Sequence, residues 1–179
     1  MGVGPKVKAV FLDRDGVLNN SIIVDGKPYP PKSLDELIIP EGVKEGLKQL
    51  TQHGYVLIII TNQPDVARGK TKIEVVNSIN NYLQQKLLID DVFCCIHDDS
   101  DNCNCRKPKP GMIIEATKKW NIDIANSYMV GDRWKDIETG KNAGLKTILI
   151  NYGYNEKYVE PDYSCINFNE VTQIILSNN

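Results

Sequence analysis

The sequence predicts a three-layer α/β sandwich: a Rossmann-like parallel sheet of about five strands with helices on both faces. Three observations carry this. Five short apolar runs recur along the chain, stretches of helical periodicity separate them, and polar clusters stand directly after three of the runs. Nearly continuous β-branched or aromatic runs suit strands buried on both faces. Strand alternating with helix implies parallel strands joined by crossovers.

The first run is Val7-Lys8-Ala9-Val10-Phe11-Leu12, and Asp13-Arg14-Asp15-Gly16 follows it. Residues 19–40 hold four prolines and show no periodicity, so they read as a long loop. Val43, Leu47 and Leu50 recur at helical spacing, with Pro40 before them and Gly54 after. The second run, residues 55–60, leads into Thr61-Asn62-Gln63. Val75, Val76, Ile79, Leu83 and Leu87 mark the next helix, and Val92-Phe93-Cys94-Cys95-Ile96 the third strand. Ile113, Ile114, Thr117 and Trp120 mark a further helix, before Ser127-Tyr128-Met129-Val130 and Gly131-Asp132-Arg133. A weaker helix covers residues 134–143 and stops at Gly144; Thr147-Ile148-Leu149-Ile150 is the fifth strand. With the first strand central, the second on one side and the fourth on the other, the three polar clusters converge. They meet at the carboxyl ends of the strands, where open parallel sheets bind ligands.

At 179 residues the chain has room for one domain, spanning residues 1–179. Lys+Arg 21 against Asp+Glu 23 leaves a net charge of −2, which gives no bulk attraction to nucleic acid or anionic lipid. No apolar stretch approaches the roughly 18 residues of a membrane span, and no apolar leader precedes Asp13 and Arg14. A soluble, cytoplasmic monomer without a nucleic-acid or membrane partner is expected. Five cysteines, an odd number in a chain too long to need staples, argue against a disulfide framework.

Asp13 and Asp15 leave a strand two positions apart. The pair fits a strand-to-turn cap or a reaction centre; it does not fit a calcium loop, because Val17, Leu18 and Val24 stand where that loop needs a ligand, a glycine and a glutamate. In the reaction-centre reading Asp13 attacks phosphorus and forms an aspartyl phosphate. An anion attacking an anion needs a hard cation, and Asp13, the main-chain carbonyl of Asp15 and Asp132 make a suitable Mg²⁺ set. Asp15 then protonates the leaving alkoxide and later activates water. Thr61 and a lysine supply donors to the phosphoryl oxygens. Asp136 reads equally as a metal-site residue or as an acidic first-turn residue of a helix.

Cys95 and His97 precede a short polar loop that ends in Cys103 and Cys105. Three thiolates and an imidazole form a tetrahedral, closed and therefore structural zinc set. The competing readings are incidental cysteines or a disulfide. Alternation turns Cys94 away from Cys95 and into the core, and Cys165 reads as a small buried apolar residue.

Phe11-Leu12-Asp13-Arg14-Asp15-Gly16-Val17-Leu18-Asn19 resembles the first motif of haloacid dehalogenase superfamily phosphatases. Thr61-Asn62-Gln63 resembles the second, Arg106-Lys107-Pro108-Lys109-Pro110-Gly111-Met112 the third, and Gly131-Asp132-Arg133-Trp134-Lys135-Asp136 the fourth. The resemblance implies Asp13 as nucleophile, Asp15 as acid/base and Asp132 as Mg²⁺ ligand. Phosphate binding then falls to Thr61 and Lys107, with Asn62 beside them; Arg106, assisted by Arg133 or Lys109, reads as a rim cation for a second anion of the substrate. The Cys/His loop immediately before Arg106 is similar to that of the heptose bisphosphate phosphatase family and its histidinol-phosphatase relative, where it stands in place of a large cap domain. That narrower resemblance places zinc on Cys95, His97, Cys103 and Cys105 and makes Arg106 a substrate-recognition arginine. It implies a small phosphorylated sugar as substrate, a heptose bisphosphate cleaved at position 7, with histidinol phosphate as the alternative. Two departures stand out: Pro64-Asp65 replace the small pair that usually follows T-N-Q, and the loop between His97 and Cys103 is short. A catalytically silent, zinc-stabilised binding module is the competing class, and the presence of both Asp13 and Asp15 argues against it.

Overall fold

The computed structural model describes residues 4–178; the leader-free reading of the amino terminus involves residues 1–3, which lie outside them. In chain order the elements are β1 (Lys8–Leu12), β2 (Ile22–Val24), β3 (Lys27–Tyr29), α1 (Val43–Gln52), β4 (Tyr55–Asn62), α2 (Ile73–Leu87) and β5 (Asp91–Cys95). They continue with α3 (Gly111–Trp120), β6 (Tyr128–Gly131), α4 (Trp134–Ala143), β7 (Lys146–Ile150), β8 (Tyr163–Cys165) and α5 (Phe168–Ser177). The main sheet runs β5-β4-β1-β6-β7-β8, and all its pairings are parallel. β1 lies between β4 and β6, so the strand order reverses at the carboxyl end of β1, the arrangement under which the three polar clusters converge.

Alternation along β1 divides the core. Val10 and Leu12 pack with Leu47 and Leu50 of α1, Ile79 and Leu83 of α2, and Val171 and Ile175 of α5. Ala9 and Phe11 face the other way, onto Met112, Ile113 and Ala116 of α3. Gly140 of α4 comes so close to Met129 and Thr147 that a Cβ would overlap them, which places α4 on the same side as α3. Successive residues of a strand point to opposite faces, and both faces here are covered.

Three expectations are corrected. The sheet has six strands rather than about five, because β8 adds a parallel edge to β7. Its three residues, Tyr-Ser-Cys, are too few to show either an apolar run or an alternation. Residues 19–40 also are not loop throughout: β2 and β3 form an antiparallel hairpin turned by Asp25 and Gly26, both at positive φ. Each strand has three residues, and Pro28 inside β3 hides the signal. Cys165 is buried in the α1/α2/α5 core, whereas Cys94, expected in the core, is half-buried.

Candidate active site

β1 carries Asp13 to the reversal point, where its main-chain N–H donates to the Val130 carbonyl at 3.0 Å and ties the exit of β1 to β6. Gly16 then turns the chain with φ +88°, and a Cβ there would overlap the Asp132 carboxylate. Glycine is required twice over, for the left-handed backbone and for the close approach.

The Lys107 ammonium is buried against two of the acids. It lies 2.8 Å from Asp13 Oδ1 and 2.6 Å from Asp136 Oδ1, and donates to the Ile60 carbonyl at 3.0 Å. Asn62, at the end of β4, fixes the backbone that bears it. Its side-chain amide donates to the Lys107 carbonyl at 3.1 Å and its oxygen accepts from the Lys107 N–H at 3.0 Å. The predicted phosphate residue Asn62 therefore holds Lys107 in place. Thr61 is buried, and its Oγ1 accepts from Gln63 Nε2 at 2.9 Å. Asp136 takes the first-turn place that the sequence allowed it and adds a partner for Lys107. In the first turn of α4, its Oδ2 accepts from the Arg133 N–H at 3.1 Å while Oδ1 faces Lys107.

Asp132, only 4% exposed, has no hydrogen-bond partner for either oxygen among the described residues. One oxygen from each of Asp13, Asp132 and Asp136 can be chosen so that all lie within 4.8 Å of one another. Three carboxylates thus face one ammonium, an excess of two negative charges when all are ionised. Burial and the Asp136 charge push the Asp13 carboxyl up to about 7 despite the pull of Lys107. Burial, then the charges of Asp13 and Asp136, lift Asp132 well above the carboxylate range. Burial works to depress Lys107, but the same two acids hold it above the usual lysine range. Oxygen-only donors, an unpartnered buried carboxylate and a two-charge deficit fit a hard divalent cation such as Mg²⁺. The Asp15 side chain stands outside this cluster.

Asp15 is held separately by four donors. Oδ1 accepts from Arg14 Nε at 3.1 Å and Asn19 Nδ2 at 3.0 Å, and Oδ2 from Arg14 Nη2 at 3.0 Å and Gln63 Nε2 at 2.8 Å. Sequence reasoning gave Arg14, Asn19 and Gln63 no individual role. A signal existed for Arg14: a charged side chain just past a buried strand must be paired.

Beyond the carboxyl end of β5, Cys95, His97, Cys103 and Cys105 bring one ligand atom each within 4.8 Å of the others. The Cys103 sulfur is 3.6 Å from that of Cys95 and 3.5 Å from that of Cys105, and His97 Nδ1 is 3.6 and 3.3 Å from the sulfurs of Cys95 and Cys105. Zn–S bonds of about 2.3 Å place tetrahedral sulfurs about 3.8 Å apart. The closest pair, Cys95 and Cys105 at 2.8 Å, is well beyond the roughly 2.05 Å of a disulfide, and all five cysteines are free. Burial pushes the Cys95 thiol up; at Cys103 burial is outweighed by the Arg106 N–H and neighbouring thiols, which bring it down to about 7. A low thiol pKa favours the thiolate a metal requires.

The HAD-hydrolase-like family model matches residues 104–170. The D-glycero-beta-D-manno-heptose-1,7-bisphosphate 7-phosphatase of Haemophilus ducreyi is 38% identical over 159 residues, 82% of this chain and 84% of the relative. The alpha-anomer enzyme of Photorhabdus laumondii is 38% identical over 162 residues, 83% of this chain and 85% of the relative. This chain belongs to the heptose bisphosphate phosphatase family. A crystal structure of the family, the Bordetella bronchiseptica D,D-heptose 1,7-bisphosphate phosphatase complexed with magnesium and phosphate, superposes with a TM-score of 0.82 at 30% identity, covering 96% of this chain and 99% of that one.

In this heptose bisphosphate phosphatase family member the acid cluster opens into a cleft of about 370 Å³. Pro28, Tyr29 and Pro30 of the β2–β3 region wall one side, and Arg106 and Lys107, directly after the Cys/His cluster, wall another. Outside the acid cluster, Asp15 and Lys107, the charged lining is Arg68, Lys70, Arg106, Arg133 and Lys135 against Asp65. Four of these cations carry acidic partners set back from the cleft, Lys135 Nζ lying 3.9 Å from Asp99. Arg68 Nη2 is 2.6 Å from Asp98, Arg106 Nε is 2.6 Å from Asp99, and Arg133 Nη2 is 2.6 Å from Glu156. Arg106 and Arg133, read from sequence as rim cations, are thus both at the cleft and both paired. Lys109 turns instead to the Cys103 carbonyl at 2.8 Å. Among the described residues no helix is long and apolar enough to cross a membrane.

Proposed function

We propose that this phosphatase removes the 7-phosphate of D-glycero-D-manno-heptose 1,7-bisphosphate through a phosphorylated Asp13. The observation that carries the reading is the Asp13–Lys107–Asp136 constellation beside the unpartnered Asp132, set in a cleft with cationic walls. Asp13 Oδ1 accepts from Lys107 and from the Arg14 N–H at 2.8 Å, which leaves the other oxygen to attack phosphorus. Asp15 exchanges its contact with Gln63 Nε2 for a proton and so becomes the acid that protonates the departing sugar oxygen as the P–O bond breaks. It then takes a proton from the water that hydrolyses the aspartyl phosphate. The three N–H bonds of Lys107 are all engaged, so phosphate binding exchanges one of its contacts for a phosphoryl oxygen. A divalent cation held by Asp13, Asp132 and the Asp15 carbonyl supplies the positive charge that lets carboxylate approach phosphate. Asp136 keeps Lys107 in place.

Zinc on Cys95, His97, Cys103 and Cys105, closed by four protein ligands, steadies the loop from which Arg106 and Lys107 project. Beyond Asp15, Lys107 and the acid cluster, the charged side chains on the cleft walls are five cations and Asp65. Four of the cations are already paired from behind, and they favour a substrate whose second anion meets their remaining donors away from the reacting phosphate. Histidinol phosphate carries cationic groups there instead, and the acids nearby, Asp98 and Asp99, are already spent on Arg68 and Arg106. The reading includes a monomer in the cytoplasm, where five free cysteines stay reduced. The test is kcat/KM for heptose 1,7-bisphosphate against histidinol phosphate, with the released position followed by phosphorus NMR. Higher kcat/KM for the bisphosphate and loss of the 7-phosphate are expected; faster cleavage of histidinol phosphate overturns the substrate assignment.

A further inference from the structure

Arg14 is among the most deeply buried large side chains of the protein, at 1% exposed, yet it is charged and sits between two acids of the site. Its guanidinium makes a two-pronged contact with Asp15, Nε to Oδ1 at 3.1 Å and Nη2 to Oδ2 at 3.0 Å. The remaining nitrogen, Nη1, donates at 2.9 Å to Oδ1 of Asn80. Asn80 is itself buried on the sheet-facing side of α2, among the apolar residues Val76, Ile79 and Leu83. A buried amide on that face is costly unless it is used, and here it anchors the arginine. The chain of contacts runs from a rigid helix, through a planar fork, to a carboxylate at the cleft. A fork fixes both the position and the plane of a carboxylate, which a point donor does not.

We propose that Arg14, anchored by Asn80, is a positioning residue that fixes the Asp15 carboxylate for proton delivery to the leaving oxygen. The inference rests on the reading of Asp15 as acid/base and adds the device that aims it. Neither side chain reaches the reacting atoms. The proton moves from Asp15 to the ester oxygen as the P–O bond breaks, and a misaimed carboxyl delivers it poorly.

The consequence is selective. A sugar phosphate expels an alkoxide, which must be protonated; p-nitrophenyl phosphate expels a phenolate that leaves without help. The variants are Arg14→Lys, which keeps the charge but loses the fork, and Asn80→Ala, which keeps the fork but frees it. Both are to be checked for native circular dichroism, and kcat/KM compared on a sugar phosphate and on p-nitrophenyl phosphate. General acid–base catalysis is worth about 10²–10⁴-fold. Each variant is therefore expected to lose at least about tenfold more on the sugar phosphate than on the aryl ester, with Asp15→Asn showing a larger split of the same kind. Equal losses on both esters, or none, in folded Arg14→Lys and Asn80→Ala while Asp15→Asn keeps its split overturn the positioning role alone. Equal losses in Asp15→Asn overturn the acid/base reading and the inference with it. Should Arg14→Lys not fold, Asn80→Ala decides.

Discussion

Asp132 keeps a carboxylate out of water with neither oxygen partnered, and Asp13 shares its surroundings. Burial leaves the Asp13 carboxyl at about 7 against an ordinary 3.8, so in protein stripped of divalent cations the folded state binds this proton more tightly than the unfolded chain. Stability from that difference is complete below about pH 4 and is lost as pH rises through about 7. The depressed carboxyls of Asp91, Asp99 and Asp162 act in the opposite direction, but at pH values below that window. Metal-free protein is expected to show a Tm that declines from about pH 4 to 7, recovering at pH 7 when Mg²⁺ is added. At a hundredfold excess over Kd the recovery is about 2.7 kcal/mol, and Asp132→Asn should abolish most of it. A Tm indifferent to Mg²⁺ in the wild type refutes the cation site. Asp13→Asn is expected to keep the fold and lower kcat by more than about a hundredfold, since the amide cannot form an acyl phosphate. Steady-state assays beside a circular-dichroism spectrum check this, and retention of more than about a hundredth of the rate rejects Asp13 as nucleophile.

At the scale of elements, the segment from Cys95 to Lys107 joins two centres through one short stretch of backbone. Cys105 is a member of the thiol–imidazole cluster, Arg106 lines the cleft, and Lys107 touches Asp13. Cys103→Ser is expected to release the metal and lower Tm, because metal affinity there is folding free energy. Elemental analysis and thermal melts measure both effects; native protein purified without chelators and containing no zinc refutes the assignment. The long elements could be read from sequence because each carries enough residues to display its period: β4 has eight and α2 fifteen. β2, β3 and β8 have three each and could not. The acids and the Cys/His set were legible because chemistry restricts residue type at each place. The network around Asp15 was not: Asn80 lies in a helical repeat as one more polar residue, and only the packing of α2 against the sheet reveals that it meets Arg14.

At the scale of the whole molecule, the strand order was legible as an arrangement that would bring three loops together, and the sheet does so around β1. What the pattern could not supply was occupancy, since Asn62 is spent on Lys107 and Arg133 on Glu156. Those pairings depend on loop paths that no periodicity encodes. The position of β1 between β4 and β6 also sets an order of completion along the growing polypeptide. β1, β4 and β5 emerge first and can pair with one another, leaving the far edge of β1 open until β6 is made. A chain arrested before β6 already holds Asp13, Asp15 and Lys107, but it has neither the Asp132 carboxylate nor the Val130 carbonyl that ties down the exit of β1. A half-made copy on the ribosome therefore lacks two acids of the site, Asp132 and Asp136, and the crowding of carboxylates that the finished site must tolerate is postponed until β1 has a strand on both sides.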